Sequence, residues 1–361
     1  MARTLSDFAR IELAPPKYLA MPTAGIDVSA SGVKIVTFRD TLHGLELASF
    51  VEEPLPEGAI QQGEISDRNA LVSTLKALSK KFGVRFANIT LPESRGYLFE
   101  ADAHSKDEKE RCIEIERHLD EYVPLPASEV AYDAVPLATE GDVTRMVGVG
   151  YARRVVESSL ACFEEAGITV RSVEGEVFAL PRAIRPHGDQ ETVLIIDIGK
   201  TTTKLLIASS RLPRFATTLD VGGHALTLAV QKHFGVSEEE AKRVKAERGL
   251  HAGEENQEYL AAMLSTVSVI REEILHRLEY WQTRGPLTPF HRPVTRAILV
   301  GGNATVRGLP EYLEASLKIP VELGDVLVNL ASREDWLPPL DYTESLAYGT
   351  AIGLALREYV A

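Results

Sequence analysis

The sequence predicts an α/β protein of two domains, each opening on a strand hairpin with an aspartate near its tip. Three stretches lead there. In the first, four apolar residues from Val193 to Ile196 run into Asp197, Gly199, the threonines Thr201 to Thr203, and Lys204. In the second, Gly25–Phe38 repeats that course, and Asp27 and Lys34 have the same separation as Asp197 and Lys204. In the third, the run from Ala297 to Val300 ends in Gly301-Gly302, with a helix starting near Leu309.

Each of these turns has the chemistry of an anion site. A continuous apolar run bounded by turn residues reads as a buried strand. Gly199, just beyond the strand, lets the backbone turn sharply and approach a ligand closely. Threonine hydroxyls and backbone N–H groups in such a turn form an anion-binding concavity. Asp197, at the strand end, is suited to hold a metal ion through its water shell. One such turn alone is an ordinary hairpin with a polar tip; three in this order are far more specific.

Composition sets the bounds. A length of 361 residues implies two or three domains. With 45% hydrophobic and 25% charged residues there is apolar material for a sizeable core. A net charge of −13 and no basic block argue against nucleic acid and against direct binding to anionic lipid. Cys112 and Cys162 lie far apart within helical patterns and read as reduced core thiols of a cytoplasmic protein. No signal-peptide pattern is seen, and no apolar run approaches the ~20 residues of a membrane span. Any membrane association is therefore expected to be indirect.

In chain order, 1–23 reads as a loosely ordered leader in which Leu5 and Phe8 share a face and Pro15-Pro16 stops any helix. After the first hairpin, Leu45–Phe50 adds a strand. Asp67 caps a helix from Arg68 to Lys81 with Leu71, Leu75 and Leu78 on one face. Phe86–Leu91 is a strand ending at Pro92. Lys106–Val123 reads as one continuous helix opened by a capping box of Ser105 and Glu108 and closed by Pro124. Strands follow at Val130–Pro136 and Val147–Tyr151, then a helix over Arg154–Ala166 stopped by Gly167. Val170–Ile184 is a strand leading into a helix, and the polar 186–191 is the expected domain boundary.

Beyond the central hairpin, Phe215–Val221 is a strand running into Gly222-Gly223. His224–Phe234 is helical, Ser237 and Glu240 cap a helix to Arg248, and a long helix runs from Glu255 to Trp281. This helix-only region marks an α-rich subdomain. Strands at Thr295–Val300 and Pro320–Leu323 enclose a helix at Leu309–Leu317, and a final helix spans Glu344–Tyr359. Several chemistries lack their signatures. There is no Walker-type loop, no helical pairing of the nine histidines, and no nucleophile elbow.

The three turns in this order resemble the ATPase fold shared by actin, sugar kinases and heat-shock chaperones. Within it, the chain is most similar to the PilM family of type IV pilus assembly proteins, related to the division protein FtsA. The stretches that carry the likeness are Ile113–Pro126, Val155–Gly167 with Val173–Ala183, Gly222–Lys245 and Glu344–Arg357. The resemblance implies a two-domain actin-like (RNase H-like) α/β fold. Subdomain 1A takes 24–84 and 168–190, with the C-terminal helix 344–361 packing back onto it. The PilM/FtsA-type insertion 1C takes 85–167, subdomain 2A takes 191–223 and 292–343, and the α-rich subdomain 2B takes 224–291.

The resemblance also implies a site for ATP and Mg²⁺. Asp27 and Asp197 would face each other across a cleft and hold Mg²⁺ through water. The turns with Ser29, Ser31 and Gly32, and with Gly199, Lys200, Thr201 and Thr202, would carry the phosphates beside Lys34, Gly222 and Gly223. Glu176 would sit near the metal or the attacking water. Gly301, Gly302 and Asn303 would flank the adenosine, and Lys245 would contact the ribose or base. Two departures from the family pattern bear on turnover. Ser29 stands where glycine is usual, and Lys242 stands where a glutamate is often found three residues before Lys245. Both are expected to slow hydrolysis more than they weaken binding.

The expected function is a cytoplasmic, ATP-binding scaffold of the pilus machine. It would be held at the inner face of the cytoplasmic membrane by the N-terminal tail of a PilN-like partner, with other pilus proteins or self-association as further contacts. An FtsA-like filament protein is the alternative on the same fold. It would carry a basic amphipathic helix at its C-terminus, whereas the chain stops at Ala361 after a helix whose only basic residue is Arg357. A small-molecule kinase is the third reading. It would need a substrate carboxylate base and no such insertion.

Overall fold

The computed structural model describes residues 22–251, 257–284 and 291–359. The expected leader therefore lies outside the described residues, apart from its last two.

Two five-stranded sheets of the same topology carry the molecule. The first comprises β1 (Thr23–Ser29), β2 (Gly32–Thr41), β3 (Gly44–Pro54), β6 (Phe86–Leu91) and β10 (Thr169–Gly175), in the order β10-β6-β1-β2-β3. The second comprises β11 (Thr192–Ile198), β12 (Thr203–Ser209), β13 (Leu212–Leu219), β14 (Arg296–Val300) and β15 (Val321–Leu323), in the order β13-β12-β11-β14-β15. In each, a three-stranded antiparallel meander is extended by two strands parallel to its first. The duplicated hairpin of the sequence is thus the visible part of a duplicated sheet. Its register is duplicated too, since Asp27 pairs with Lys34 and Asp197 with Lys204.

The helices cover these sheets where parallel crossovers require them. Helix α1 (Arg68–Phe82) joins β3 to β6 by way of a two-stranded ribbon, β4 (Ile60–Gln61) and β5 (Glu64–Ile65). It is capped by Asp67, whose side chain accepts from Ala70 N, and it buries Leu71, Val72, Leu75 and Leu78. A left-handed Gly83 at φ 67° ends it.

Between β6 and β10 the chain builds a three-stranded sheet in the order β7-β9-β8, from Gly96–Ala103, Val143–Ala152 and Val130–Glu140. The strand β7 has no counterpart in the sequence reading. Its signal was present, since Phe99, Ala101 and Ala103 alternate with Glu100 and Asp102 and are buried on one face. Two elements expected inside the insertion belong elsewhere by their pairing and packing. Strand β6 lies between β1 and β10 in the first sheet. Helix α4 (Arg153–Glu165) buries Cys162 and Phe163 in the same core as Leu71 and Leu75. What remains to the small sheet is 96–152.

The helix expected over 106–123 is two. Helix α2 (Glu108–Arg117) is capped by Asp107, which accepts from Lys109 N and Glu110 N, so the capping box of Ser105 and Glu108 does not form. Ser105 instead donates to Glu110 Oε2 at 2.5 Å. His118, at φ −118° and ψ 17°, interrupts the chain before the turn α3 (Leu119–Tyr122). Ile115 and Leu119, on either side of that break, both reach the small sheet's core with Phe99 and Met146. Cys112 is only half-buried, unlike Cys162, so the expectation of two core thiols holds for one.

Helix α5 (Glu176–Ile184) follows β10, and three helices fill the second crossover: α6 (Gly223–Phe234), α7 (Glu238–Arg248) and α8 (Gln257–Arg284). Ser237 caps α7 by accepting from Glu240 N. Helix α8 buries Tyr259, Met263, Val267, Ile270, Ile274, Leu278 and Trp281 at three- and four-residue spacing. Helix α9 (Leu309–Leu317) links β14 to β15.

The final helix expected over 344–359 is also interrupted. A turn of helix, α10 (Tyr342–Ser345), passes through a tight 3₁₀ turn at Leu346–Tyr348 into α11 (Gly349–Leu356). The 3₁₀ turn presents the Leu346 carbonyl to Gly301 N at 3.0 Å. Helix α11 then packs on β1 and α5 so closely that a Cβ on Gly25 would lie 2.0 Å from Ala351 O, and one on Gly353 would lie 1.8 Å from Ala179 O.

Candidate functional site: the cleft between the two hairpins

A cleft of about 920 Å³ opens between the two sheets, and its floor is the pair of hairpin tips. From the first sheet it takes Asp27, Ser29, Ser31 and Lys34. The hydroxyls of Ser29 and Ser31 lie 2.8 Å apart, and Ser29 also donates to Gly32 O at 3.4 Å. Ser29 thus spends its side chain on its own turn. Gly32 lies behind the tip rather than on the cleft wall. A Cβ there would meet Glu53 O at 2.3 Å, so its role is to pass β3.

The second tip brings Asp197, Gly199, Lys200, Thr201 and Thr202 to the opposite wall. Gly199 N donates to Thr202 O at 2.9 Å, which closes the turn and leaves Lys200 and Thr201 exposed at its apex. The start of α6 buttresses it from behind: Gly223 N donates to Gly199 O at 2.9 Å, and His224 N to Lys200 O at 2.8 Å. Gly222 and Gly223 do not line the cleft. A Cβ on Gly222 would sit 2.7 Å from Thr202 N, and one on Gly223 would sit 1.9 Å from the Asn303 side chain. These glycines allow the close backbone packing behind the tip.

The double-glycine turn supplies the third wall with Gly301, Gly302 and Asn303. Gly301 adopts φ +92°, and a Cβ there would come within 2.3 Å of Asp197 Oδ1. Asn303 is fastened to the second tip twice, through its N–H to Ile198 O at 3.1 Å and its Nδ2 to Gly199 O at 3.0 Å.

Lys245 departs most from expectation. It is buried, absent from the cleft wall, and its ammonium donates to Gly223 O at 3.1 Å, Thr227 Oγ1 at 3.1 Å and Asn303 Oδ1 at 2.9 Å. Those three acceptors use all its donors. Lys245 therefore holds the asparagine that holds the tip, and its side chain does not line the cleft. Burial, with Lys242 nearby, lowers its pKa to about 8.

The electrostatics of the floor centre on Asp27, Asp197 and Glu176, against Lys204 and Lys34. Burial raises the pKa of Asp27, and Glu176 and Asp197 add to that, while Lys34 and Lys204 oppose it. Burial raises Asp197 likewise, with Lys204 opposing. For Lys204 burial alone would lower the pKa, but Glu176, Asp197 and Asp27 together hold it well above the ordinary lysine range. Its Nζ lies 2.6 Å from Glu176 Oε2 and 3.9 Å from Asp197 Oδ2. Lys34 faces Glu52 at 3.6 Å. Glu176, the first residue of α5, has both oxygens engaged, since Oε1 accepts from Glu93 N at 2.7 Å.

The reading of the sequence did not place Lys204 in the site, although its signal was present: it stands to Asp197 as Lys34 stands to Asp27. Glu93, Thr90 and Thr218 carried no signal. Thr90 donates to Asp27 Oδ1 at 3.3 Å, and Thr218 hydrogen-bonds Glu93. Chain folding alone brings Thr90 and Thr218 to the cleft and sets Glu93 beside Glu176.

A nucleotide and a divalent ion fit this donor set. The cleft is of ligand size. The exposed apex of the second tip offers Lys200 and two hydroxyls, and the floor carboxylates favour a cation. Among the described residues no group of three or more His, Cys, Asp or Glu is arranged to ligate a metal directly. Asp27 and Asp197 would therefore act on such an ion through water, with phosphate oxygens completing its shell.

Comparison with known proteins places this geometry. Residues 25–359 match the family described as type IV pilus assembly protein PilM. Among solved structures, a PilM–PilN type IV pilus biogenesis complex matches at TM-score 0.75 and 21% identity, covering 93% of this chain and 98% of that one. MreB5 of Spiroplasma citri bound to AMPPNP matches at TM-score 0.56 and 14% identity, covering 94% and 96%. The ethanolamine utilization protein EutJ from Carboxydothermus hydrogenoformans matches at TM-score 0.53 and 16% identity, covering 95% and 90%. The fold is the two-domain actin-like one.

Proposed function

The chain belongs to the PilM family of type IV pilus assembly proteins, and from that premise we propose that it is a nucleotide-binding scaffold of the pilus machine. It holds ATP with Mg²⁺ in the cleft between its two sheets. It docks the N-terminal cytoplasmic tail of a PilN-like inner-membrane protein, and so sits at the inner face of the cytoplasmic membrane. The observation that carries the nucleotide reading is the convergence of three turns, at Ser29–Ser31, Gly199–Thr202 and Gly301–Asn303, on one cleft. An MreB of the same fold is known bound to AMPPNP. The partner reading is supported by the match to a PilM–PilN complex. No described helix is long and apolar enough to cross a membrane.

Turnover is very slow in this reading. A general base must be free to accept a proton from water, and both oxygens of Glu176 are engaged by Lys204 and Glu93 N. Asp27 and Asp197 remain as acceptors that orient the hydrated ion.

A thermal melt tests the reading. ATP·Mg²⁺ at a hundredfold excess over its dissociation constant stabilises the fold by ~2.7 kcal/mol. Asp197→Ala removes most of that shift, and steady-state phosphate release stays near background. A wild type whose melt does not move at millimolar ATP sinks the nucleotide reading. Robust phosphate release that vanishes in Asp27→Asn sinks the slow-turnover part alone.

A further inference from the structure

The polar groups of the cleft are unevenly committed. At the apex of the second tip, Lys200 and Thr201 are exposed and Thr202 is half-buried, and no hydrogen bond to a described residue engages their side chains. The third wall is already bonded. The Asn303 amide accepts from Lys245 Nζ at 2.9 Å at one end and donates to Gly199 O at 3.0 Å at the other. Along its backbone, Gly301 N donates to Leu346 O at 3.0 Å, Asn303 N to Ile198 O at 3.1 Å and Ala304 N to Gly301 O at 3.1 Å. What that wall shows the cleft is a small apolar seat, where a Cβ on Gly302 would meet only Ala347 Cβ, at 3.7 Å. On the first half's side, Arg95 Nε donates to Gln62 O at 2.8 Å with Glu64 at 3.5 Å, and Gln61 Nε2 donates to Gly58 O at 3.2 Å. Gln62, Ser94 and Ser159 also line that side, and each carries both a donor and an acceptor in its head. Lys242 and Lys245 are absent from the lining, and Lys242 pairs with Glu238 at 2.7 Å.

We propose that the cleft selects its ligand by the phosphate chain and not by the base, so that purine and pyrimidine nucleoside triphosphates seat alike and inorganic tripolyphosphate takes the same site. A site tells one ligand from its analogue by fixed donors and acceptors that the wrong one leaves unpaired, and such sites discriminate by ~10⁴ or more. Here the fixed groups away from the tips already have partners. The uncommitted hydroxyls and amide turn to meet a donor or an acceptor equally well. The seat at Gly302 and Ala347 is apolar, and any base can rest on it because every base has a π-face. The phosphate chain instead meets Lys200 and the threonine hydroxyls, whose hydrogen bonds to an anion are charge-assisted. The inference names the ligand class of the proposed nucleotide cleft and rests on that reading.

The test titrates ATP, GTP, UTP and inorganic tripolyphosphate, each with equimolar Mg²⁺, against the full chain, and reads apparent affinities from the shift of the thermal melt. The three nucleotides are expected to bind within about tenfold of one another, and tripolyphosphate within about tenfold of ATP, a factor that corresponds to roughly one hydrogen bond. Asp197→Ala is expected to weaken all four together. Lys200→Ala, at an exposed position, repeats the measurement if the first variant does not fold. The proposal is overturned if ATP stabilises the fold while GTP or UTP binds more than tenfold more weakly. It is equally overturned if tripolyphosphate gives no shift, or gives one that is unchanged in the folded variant. A base preference, or a silent tripolyphosphate beside an active ATP, leaves the nucleotide reading standing. A melt that none of the four ligands moves sinks both.

Discussion

Lys245 shows how one buried side chain changes the meaning of a motif. A lysine without a carboxylate to meet it is an expensive core residue, and its pKa of about 8 records that cost. The return is geometric. Its hydrogen bond to Asn303 fixes an amide whose other end holds Gly199 O, so the tip of the second hairpin is braced by a chain of side chains. The linkage has a definite sign. Between about 8 and the model-peptide value of 10.5 the unfolded chain holds the proton that the folded chain has released, so folding stability attributable to this group rises with pH over that window. Denaturation at pH 7.5 and at pH 10 is expected to show wild type gaining on Lys245→Met as pH increases. The same variant is expected to loosen the 199–202 tip, read as faster amide exchange there. An unchanged stability difference at the two pH values would rule out the shifted lysine.

At the scale of elements, helix α11 is seated by what is missing from the residues around it. It lies against β1 at Gly25 and against α5 at Ala179, at distances that leave no space for a Cβ on Gly25 or Gly353. Asn88 Nδ2 reaches the Leu354 carbonyl at 3.1 Å from the adjacent strand. Strand β1 carries Asp27, and α5 opens with Glu176, so this packing sets the spacing of two cleft carboxylates. Gly25→Ala places a methyl 2.0 Å from Ala351 O and must push the helix away. An overpacking loss of roughly 2–3 kcal/mol is expected, measured by urea denaturation, with ATP-induced stabilisation reduced as well. A variant as stable as wild type would mean that α11 yields freely and does not fix the floor.

For the whole molecule, the two halves meet along a seam that runs from the cleft to the inserted sheet. Lys204 meets Glu176, Thr218 meets Glu93, and Arg214 Nε meets Glu100 Oε1 at 2.5 Å. In each pair the donor comes from β12 or β13 and the carboxylate from the first half. The small sheet is therefore anchored to the edge of the second large sheet. Its strand β8 stands at the end of the order β7-β9-β8, where an edge can accept an extended peptide. If the PilN-like tail docks on this sheet, removing the sheet removes the binding. Tyr97 and Gly150 are register partners, so a tight turn can replace 98–149 and keep Gly96 and Tyr151 in place. A pull-down with the tail peptide of the PilN-like partner is expected to succeed with wild type and fail with the shortened, folded protein. Equal binding by both would move the docking site off the insertion.

The chain's periodicities and turn residues by themselves determined the two Asp-bearing hairpins, the caps at Asp67 and Ser237, the long helix ending near Trp281 and the double-glycine turn. All of these depend on contacts a few residues apart, and such contacts are written in spacing. The sequence also carried the duplication, because the separation of Asp27 from Lys34 and of Asp197 from Lys204 reflects the same hairpin register. Tertiary structure decided what those residues do. It split the helices expected over 106–123 and 344–359, at His118 and at the 3₁₀ turn whose Leu346 carbonyl accepts from Gly301 N. It assigned β6 and α4 to the first sheet, which long-range pairing settles and local pattern does not. It withdrew Gly222, Gly223 and Lys245 behind the cleft and brought Lys204 into it, since a lysine's role depends on which carboxylates the opposite half of the chain sets around its ammonium.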